Sequence, residues 1–302
     1  DPHRPGQLRQ ARLRPADQQE PPVAQQLVHP AVGEGEVGDA PAQATLVIRL
    51  GYRGEAFCGF AEQPEKRTVA GELRRALECA LRRPCELTCA GRTDAGVHAV
   101  AQYVSLPMAA DELDLPADRL RRSLVALTPD DISVSGLFRA APDFSARFDA
   151  QMRRYRYRIC AGDARPVMAW DHAWWYKGAL DVASMDEAAQ ALVGEHDFKS
   201  FCKASSAVDK PTCRYVSSLH VSEVEEASER LVAVDIEGNA FLHNMVRTIV
   251  GTLVEVGRGH RDASWVADAL AACDRAAAGP CAPARGLTFQ AVDYLPGALV
   301  PW

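Results

Sequence analysis

The stretch TVAGELRRALECALRRPCELTCAGRTDAGVHAVAQYVSL, residues 68–106, decides the fold of this chain. Apolar side chains recur every fourth residue at its start, and this spacing predicts a helix over residues 68–82 that Pro84 stops. A short strand near residues 86–89 then leads into a loop flanked by glycines. Residues 101–106 continue as a second strand. Helix, strand, loop and strand in this order indicate an α+β unit.

The rest of the chain repeats this mixture of strands and helices. In YRYRIC, tyrosine and isoleucine point to one face and arginine to the other, as in a half-buried strand. Ser184 and Glu187 have the spacing of a capping box and predict a helix that ends before Gly194. The other predicted elements are strand 46–50, the alternating strand 155–160, a hairpin of 214–224 and 230–238, and a strongly apolar helix over 240–256.

These elements predict an N-terminal lobe over residues 44–148 and a C-terminal lobe over 149–297, each an α+β unit with a mainly antiparallel sheet. Residues 298–302 are left as a short tail. Residues 1–43 are rich in proline and glutamine and contain no aromatic residue, so a disordered N-terminal tail is expected there.

Composition points to a water-soluble protein, with 47% hydrophobic and 25% charged residues. No apolar run approaches the roughly 18 residues that a membrane span needs, and no signal peptide is recognisable, so a cytoplasmic protein without membrane contact is expected. The nine cysteines form no C-x-x-C pair. Neither a metal site nor a disulfide framework is therefore predicted.

The net charge is −6, but the charge is unevenly distributed. Residues 119–165 contain ten arginines and five acidic residues, a local excess of five positive charges. A basic face of this kind permits binding to RNA. A solvated arginine-rich surface explains the excess equally simply, and charge alone favours that alternative.

The segment GRTDAG, residues 91–96, is the first candidate for a functional site. Its glycines predict a tight loop after a strand, with the carboxylate of Asp94 exposed and Arg92 two residues away. A loop aspartate more often stabilises an Asx turn, and local physics alone favours that reading.

Longer motifs carry more information than this loop. AGRTDAGVHA (90–99) resembles the signature of the tRNA pseudouridine synthase A family nearly residue for residue. SARFDAQMRRYRYRI (145–159) and GNAFLHNMVRTIVGTLVEVG (238–257) resemble the second and third motifs of the family in the correct order. The resemblance extends over residues 44–297.

The resemblance implies a catalytic role for three residues. Asp94 matches the nucleophile that acts on the target uridine, although attack at C6, attack at C1′ and proton abstraction all remain open. Tyr155 matches a tyrosine that stacks on the base or relays a proton, with a core tyrosine as the alternative. Arg247 matches a basic residue that would pair with Asp94; the alternative is an exposed arginine on the polar face of its helix. The reaction is an isomerisation, so no cofactor and no metal are implied.

Five further residues are implied as RNA contacts. Arg92 would flip the target nucleotide out of its stack, because the nucleophile cannot reach a stacked base. Phosphate contacts are expected from Arg147, Arg153 and Arg154. His98 would line the pocket or support the packing of the loop.

The family also implies an architecture and a substrate. Two lobes of ferredoxin-like type would share a mainly antiparallel sheet with helices packed on it and a catalytic cleft between them. The implied partners are tRNA, modified at positions 38 to 40 of the anticodon stem-loop, and a second copy of the chain in a homodimer. A non-catalytic RNA-binding or chaperone protein on the same scaffold is the main alternative, and a carboxylate-dependent hydrolase is a weaker one.

Some positions depart from the family pattern. The first loop has Gly59-Phe60-Ala61 where Gly-Trp-Gln is usual, and Glu62 where a basic residue is common. Ala126 replaces a typical asparagine. These departures affect the expected substrate range and leave the expected reaction unchanged.

Overall fold

The structure is a computed structural model that describes residues 44–208 and 210–302. The N-terminal segment 1–43, for which disorder was predicted, lies outside the described residues. Among the helices that are described, none combines the length and the apolar composition needed to cross a membrane.

The described chain consists of strands and helices that form one large sheet and a core packed against it. The strands are β1 Ala44–Tyr52, β2 Thr88–Cys89, β3 His98–Met108, β4 Ile132–Ala140, β5 Met152–Ala161, β6 Trp174–Tyr176, β7 Gly194–Asp197, β8 Cys213–Glu226, β9 Glu229–Gly238, β10 Leu287–Asp293 and β11 Val300–Pro301. The helices are α1 Val69–Leu81, α2 Ala117–Leu127, α3 Val182–Ala189, α4 Met245–Gly257 and α5 Ser264–Ala271.

One sheet joins the strands of both predicted lobes, in the order β11-β4-β1-β3-β10-β5-β9-β8-β7, with β2 paired to β3 and β6 to β5. Strand β10, from near the end of the chain, lies between β3 and β5 and runs parallel to β3 and antiparallel to β5. All other pairs except β5 with β6 are antiparallel. The predicted α+β class with a large, mainly antiparallel sheet is confirmed. Residues 298–302, predicted as a tail, supply the edge strand β11.

Helix α1 forms where the apolar spacing predicts it. The side chain of Thr68 caps its N-terminus by accepting a hydrogen bond from the backbone N–H of Gly71. Its C-terminus ends at Arg82, which adopts a left-handed conformation with a φ of 57°. Leu73 and Leu77 are fully buried in the main core. Each such leucine contributes about 1.5–3 kcal/mol through removal of its side chain from water.

Strand β5 alternates as its sequence predicts, with buried tyrosines on one face and arginines on the other. Arg156 forms a bidentate ion pair with Asp235, at 2.7 and 2.9 Å, and Arg158 contacts Glu226 at 2.7 Å. Much of the positive excess of residues 119–165 is therefore balanced by acidic side chains of neighbouring strands. The local charge count alone overstates the basic surface.

The prediction of a helix over residues 240–256 is wrong at its N-terminal end. Helix α4 begins at Met245, and the preceding residue, Asn244, has a left-handed conformation with a φ of 65°. Residues 240–244 form a loop instead. A run of apolar residues does not reveal this change, since a buried loop and a buried helix can have the same composition.

The predicted capping box of α3 is also wrong. Asp181, three residues earlier than the predicted cap, accepts hydrogen bonds from the backbone N–H of Ser184 at 3.1 Å and from its hydroxyl at 2.7 Å. An aspartate at this position caps a helix as well as serine does. The helix therefore begins at Val182, three residues earlier in the sequence than predicted.

Candidate active site

The loop at residues 91–96 connects β2 to β3 and is held by hydrogen bonds along its length. The carbonyl of Gly91 accepts a hydrogen bond of 2.6 Å from the Gln102 side chain. The hydroxyls of Thr93 and Tyr52 are 2.7 Å apart, and Thr93 is itself buried. These contacts come from buried strands, so the loop has a fixed conformation before any substrate arrives.

A second loop packs directly behind this one. The backbone N–H of Phe60 donates to the carbonyl of Thr93 at 3.0 Å. Its neighbour Gly59 has a φ of +93°, and a Cβ at that position would lie 3.0 Å from the same carbonyl. Only glycine combines this backbone conformation with so close an approach. The loop that contains Gly59 and Phe60 thereby supports the loop of Asp94 from behind.

The carboxylate of Asp94 lies between two side chains of the segment that starts helix α4. Its Oδ1 is 3.3 Å from Nε2 of His243, and its Oδ2 is 3.3 Å from Nη1 of Arg247. The side chain of Asp94 is 27% exposed, so it is shielded by its neighbours and still open to a ligand. The contacts of both oxygens give the carboxylate a defined orientation.

Arg247 is itself fixed in place by two further contacts. Its Nε donates to the carbonyl of Ala282 at 2.8 Å, and its Nη1 also contacts the side-chain oxygen of Asn244 at 3.2 Å. Its side chain is 18% exposed. A cation this far from water requires such partners. The expected neighbour of Asp94 therefore lies beside it in a defined orientation.

Tyr155 lies against the wall of the same cleft, within an aromatic cluster. Its ring centroid is 4.7 Å from that of Phe289 and 5.1 Å from that of Phe241, the latter edge to face. A Cβ at Gly91 would lie 3.6 Å from the phenolic oxygen, so the hydroxyl points toward the loop of residues 91–96. Burial raises the pKa of Tyr155 well above its ordinary value, and the phenol is therefore neutral at physiological pH.

These side chains line a cleft of about 1130 Å³, more than the 300–1,000 Å³ that pockets for small ligands occupy. Two of the predicted RNA contacts, Arg92 and Arg147, are exposed on its lining. Further cations on the lining are Lys66, Arg74, Lys210 and Arg214. Arg74 forms an ion pair with Glu62, which reduces the positive charge on that side of the cleft.

Arg153 lines the cleft but has little freedom to bind a phosphate. It is 8% exposed, and its guanidinium donates to the backbone carbonyls of Ala90 at 2.9 Å and Arg147 at 2.7 Å, and to that of Asn239. The guanidinium therefore joins the strand before the catalytic loop to segments far away in the sequence. Burial lowers the pKa of Arg153 without bringing it near physiological pH.

Two other predicted site residues lie away from the lining of the cleft. Arg154 pairs with Asp293 at 2.6 Å. His98 is 6% exposed, accepts a hydrogen bond from the Gly54 backbone N–H at 3.1 Å, and has a pKa lowered by burial. A neutral, buried histidine of this kind supports the packing of its loop, one of the two roles that the sequence left open.

Sequence reasoning missed the role of several residues in this arrangement. Neither His243 nor Ser206, whose hydroxyl lies 3.1 Å from Nδ1 of His243, was predicted as a site residue. Two adjacent polar residues, 243 and 244, within an otherwise apolar run were the available signal. Phe241, which packs on Tyr155, lies in the segment predicted as a strongly apolar helix.

The fold and the cleft together define an α+β protein in which the carboxylate of Asp94 lies beside Arg247. A family model for tRNA pseudouridine synthase matches residues 188–295. The chain is 42% identical to tRNA pseudouridine synthase A of Brevibacillus brevis over 245 residues. This aligned region covers 81% of this chain and 97% of that relative.

Two further relatives agree with this match. The chain is 40% identical to tRNA pseudouridine synthase A of Chloroflexus aurantiacus, over 85% of this chain and 91% of that protein. It is 41% identical to the same enzyme of Methylobacterium nodulans, over 82% of this chain and 95% of that protein. The chain belongs to the tRNA pseudouridine synthase A family. The resemblance seen in the motifs, and the isomerase class that it implies, are confirmed.

Proposed function

We propose that this protein converts uridine to pseudouridine in the anticodon stem-loop of tRNA, at positions 38 to 40, with Asp94 as the nucleophile. The observation that carries the proposal is the ion pair of 3.3 Å between Asp94 and Arg247 at the base of a cleft. This arrangement supplies an ionised, oriented carboxylate in a position that a flipped nucleotide can reach. The names of the relatives support tRNA as the substrate.

The reaction needs no external reactant. The glycosidic bond from C1′ to N1 of the uracil breaks, the base turns, and a bond from C1′ to C5 forms. The hydrogen on C5 leaves as a proton, and N1 takes up a proton. The reaction therefore requires a nucleophile whose bond to the substrate breaks again, groups that hold the base during its turn, and an acceptor for the C5 proton, which can be the carboxylate once it is free or water.

Access to the target requires the nucleotide to leave its stack, at a cost of a few kcal/mol. Arg92 is two residues from Asp94 and exposed on the cleft lining, where it can occupy the space that the flipped base leaves. Arg147 on the same lining is suited to contact a phosphate. Arg153 and Arg154 are left out of the proposed contacts, because their guanidinium groups already bind carbonyl or carboxylate groups of the protein.

The homodimer belongs to the same proposal and rests on family resemblance. A cytoplasmic location, which the sequence composition leads us to expect, is proposed with it. The departures from the family pattern affect the substrate range that we propose for this chain. Glu62 on the cleft lining neutralises Arg74, so this side of the cleft attracts phosphates less than a basic residue at position 62 would.

The proposal is tested with tRNA that carries tritium at uridine C5. We expect the wild-type protein to release tritium from a transcript with uridines at positions 38 to 40, because formation of pseudouridine frees the C5 hydrogen. Transcripts in which these uridines are replaced by cytidine, singly and together, identify the modified position. A folded protein that binds the transcript and releases no tritium would support the RNA-binding alternative instead.

The role of Tyr155 is tested by its replacement with phenylalanine. The ring contacts with Phe241 and Phe289 remain, and only the hydroxyl is lost. The neutral phenol can donate a hydrogen bond to the base as it departs, so we expect Tyr155→Phe to lower the single-turnover rate constant by about 10²-fold with little change in tRNA affinity. Single-turnover tritium release measures this rate constant. An unchanged rate constant would assign Tyr155 to stacking and packing alone.

A further inference from the structure

The two side chains that contact Asp94 differ in their freedom to move and to change charge. Arg247, on Oδ2, is 18% exposed, carries a permanent positive charge and is fixed by the carbonyl of Ala282. His243, on Oδ1, is 42% exposed and belongs to the loop before α4. Imidazole groups change charge between about pH 5 and pH 8. The carboxylate is thus held by one permanent and one titratable partner.

Ser206 orients the imidazole without fixing its charge. Its hydroxyl lies 3.1 Å from Nδ1 of His243, on the opposite side of the ring from Asp94. A hydroxyl can either donate or accept a hydrogen bond. When the ring is neutral, Ser206 can donate to Nδ1 and the ring proton is then on Nε2, the atom that lies 3.3 Å from Oδ1 of Asp94. When the ring is protonated, Ser206 accepts from Nδ1. Both charge states therefore keep the same geometry at the nucleophile.

We propose that His243 is a positioning residue for Asp94, and that protonation of its ring suppresses attack by Oδ1 and so produces the acid limb of the pH profile. The proposal rests on the proposed pseudouridine synthase activity. A neutral imidazole places Nε2 at 3.3 Å from Oδ1 without adding a charge beside the carboxylate. An imidazolium places a second full positive charge beside the carboxylate, and opposite charge stabilises the ionised ground state.

Among the residues that the structure describes, Asp94 is the acid that contacts the ring, and Glu62 and Glu86 also line the cleft. The catalytic loop contributes Asp94, helix α4 contributes Arg247, and the segment before β8 contributes Lys203, whose backbone N–H donates to the carbonyl of His243. Arg92, Lys210 and Arg214 line the same cleft. These cations keep their charge over the pH range in which imidazole titrates. The His243→Gln variant then separates the ring from the carboxylates of the cleft as the source of a change in rate across that range.

Three variants separate positioning from charge. His243→Gln keeps a neutral side-chain N–H donor but cannot take up a proton. Ser206→Ala keeps the titratable ring and removes the hydroxyl that orients it. The matched control is His220→Gln on β8, because His220 is also partly exposed and also faces a carboxylate, that of Asp186 at 3.8 Å. All three side chains lie outside the buried core, so the fold is expected to survive each change.

The readout is the single-turnover rate constant of tritium release, with the protein in saturating excess over tRNA, between about pH 5 and pH 8. For the wild type and the His220 control we expect the rate constant to fall about tenfold per pH unit on the acid side. His243→Gln should remain within about tenfold of the wild-type maximum and lose this limb. Ser206→Ala should lower the rate constant at every pH and keep the limb.

Two results would overturn the proposal while the enzyme assignment stands. One is an acid limb in His243→Gln that coincides with that of the wild type. The other is complete loss of turnover in His243→Gln with tRNA affinity and melting temperature retained, since an amide donor should replace a residue that only positions. A wild-type protein without tritium release at any pH would remove the proposed function and this proposal together.

Discussion

Replacement of Asp94 by asparagine is expected to lower the single-turnover rate of tritium release by about 10⁴-fold or more, in line with the loss of a nucleophile in other enzymes. The amide has the size of the carboxylate and can still accept a hydrogen bond from Arg247. It has no negative charge with which to attack carbon. The chemistry is therefore lost while the shape of the site is kept.

Binding of tRNA by Asp94→Asn, measured by filter retention, is expected to stay close to that of the wild type or to tighten slightly, because one negative charge leaves a cleft that attracts phosphates. Asp171→Asn is the matched control, since Asp171 is also a partly exposed aspartate paired with an arginine, Arg53 at 2.7 Å. Its variant should turn over at the wild-type rate. Substantial turnover by Asp94→Asn would show that another group attacks the substrate.

The elements that could be predicted from the sequence are those in which one local rule agrees with the tertiary structure. Helix α1 has its apolar spacing, its cap at Thr68 and its stop near Pro84 within a single segment. Strand β5 has strict alternation, and its buried tyrosines do pack into the core. A segment can be predicted from its sequence when its local pattern agrees with the packing of the whole fold.

The elements that could not be predicted depend on partners far away in the sequence. Arg153 belongs to an arginine-rich strand typical of phosphate contacts, yet its guanidinium donates to four backbone carbonyls. Two of these, Ala90 and Asn239, lie 63 and 86 residues away, and no local pattern around residue 153 predicts them. In the same way, β10 lies between β3 and β5 although nearly 130 residues separate it from the latter.

The candidate site likewise contains residues that could be predicted from the sequence and residues that could not. The family motifs identified Asp94, Tyr155 and Arg247, and the structure brings all three to one cleft. His243 was not predicted because the apolar run around it predicts a helix. The chain forms a loop there instead, and Nε2 of His243 lies 3.3 Å from Oδ1 of Asp94. A change of backbone conformation within a uniform apolar segment leaves no periodic signal.

Replacement of Arg247 by methionine is expected to reduce the single-turnover rate by about 10²-fold, the loss that a misplacement of about 1 Å produces. Methionine fills a similar volume along the helix but provides no partner for Oδ2 of Asp94. Arg247→Lys should recover only part of the rate, because arginine contacts Ala282 through Nε and Asp94 through Nη1. A single ammonium group cannot reproduce both contacts at once.

The comparison that decides the role of Arg247 is a double-mutant cycle with Asp94. If the arginine acts by orienting this carboxylate, Arg247→Met should cost nothing further in the Asp94→Asn background, since the nucleophile is already absent. Arg258→Met, at the exposed end of the same helix and paired with Glu255 at 3.2 Å, is the matched control and should retain wild-type turnover. A variant Arg247→Met that binds tRNA poorly but turns over normally once bound would place the arginine on the RNA instead. The cycle thus separates a residue that orients the nucleophile from one that holds the substrate.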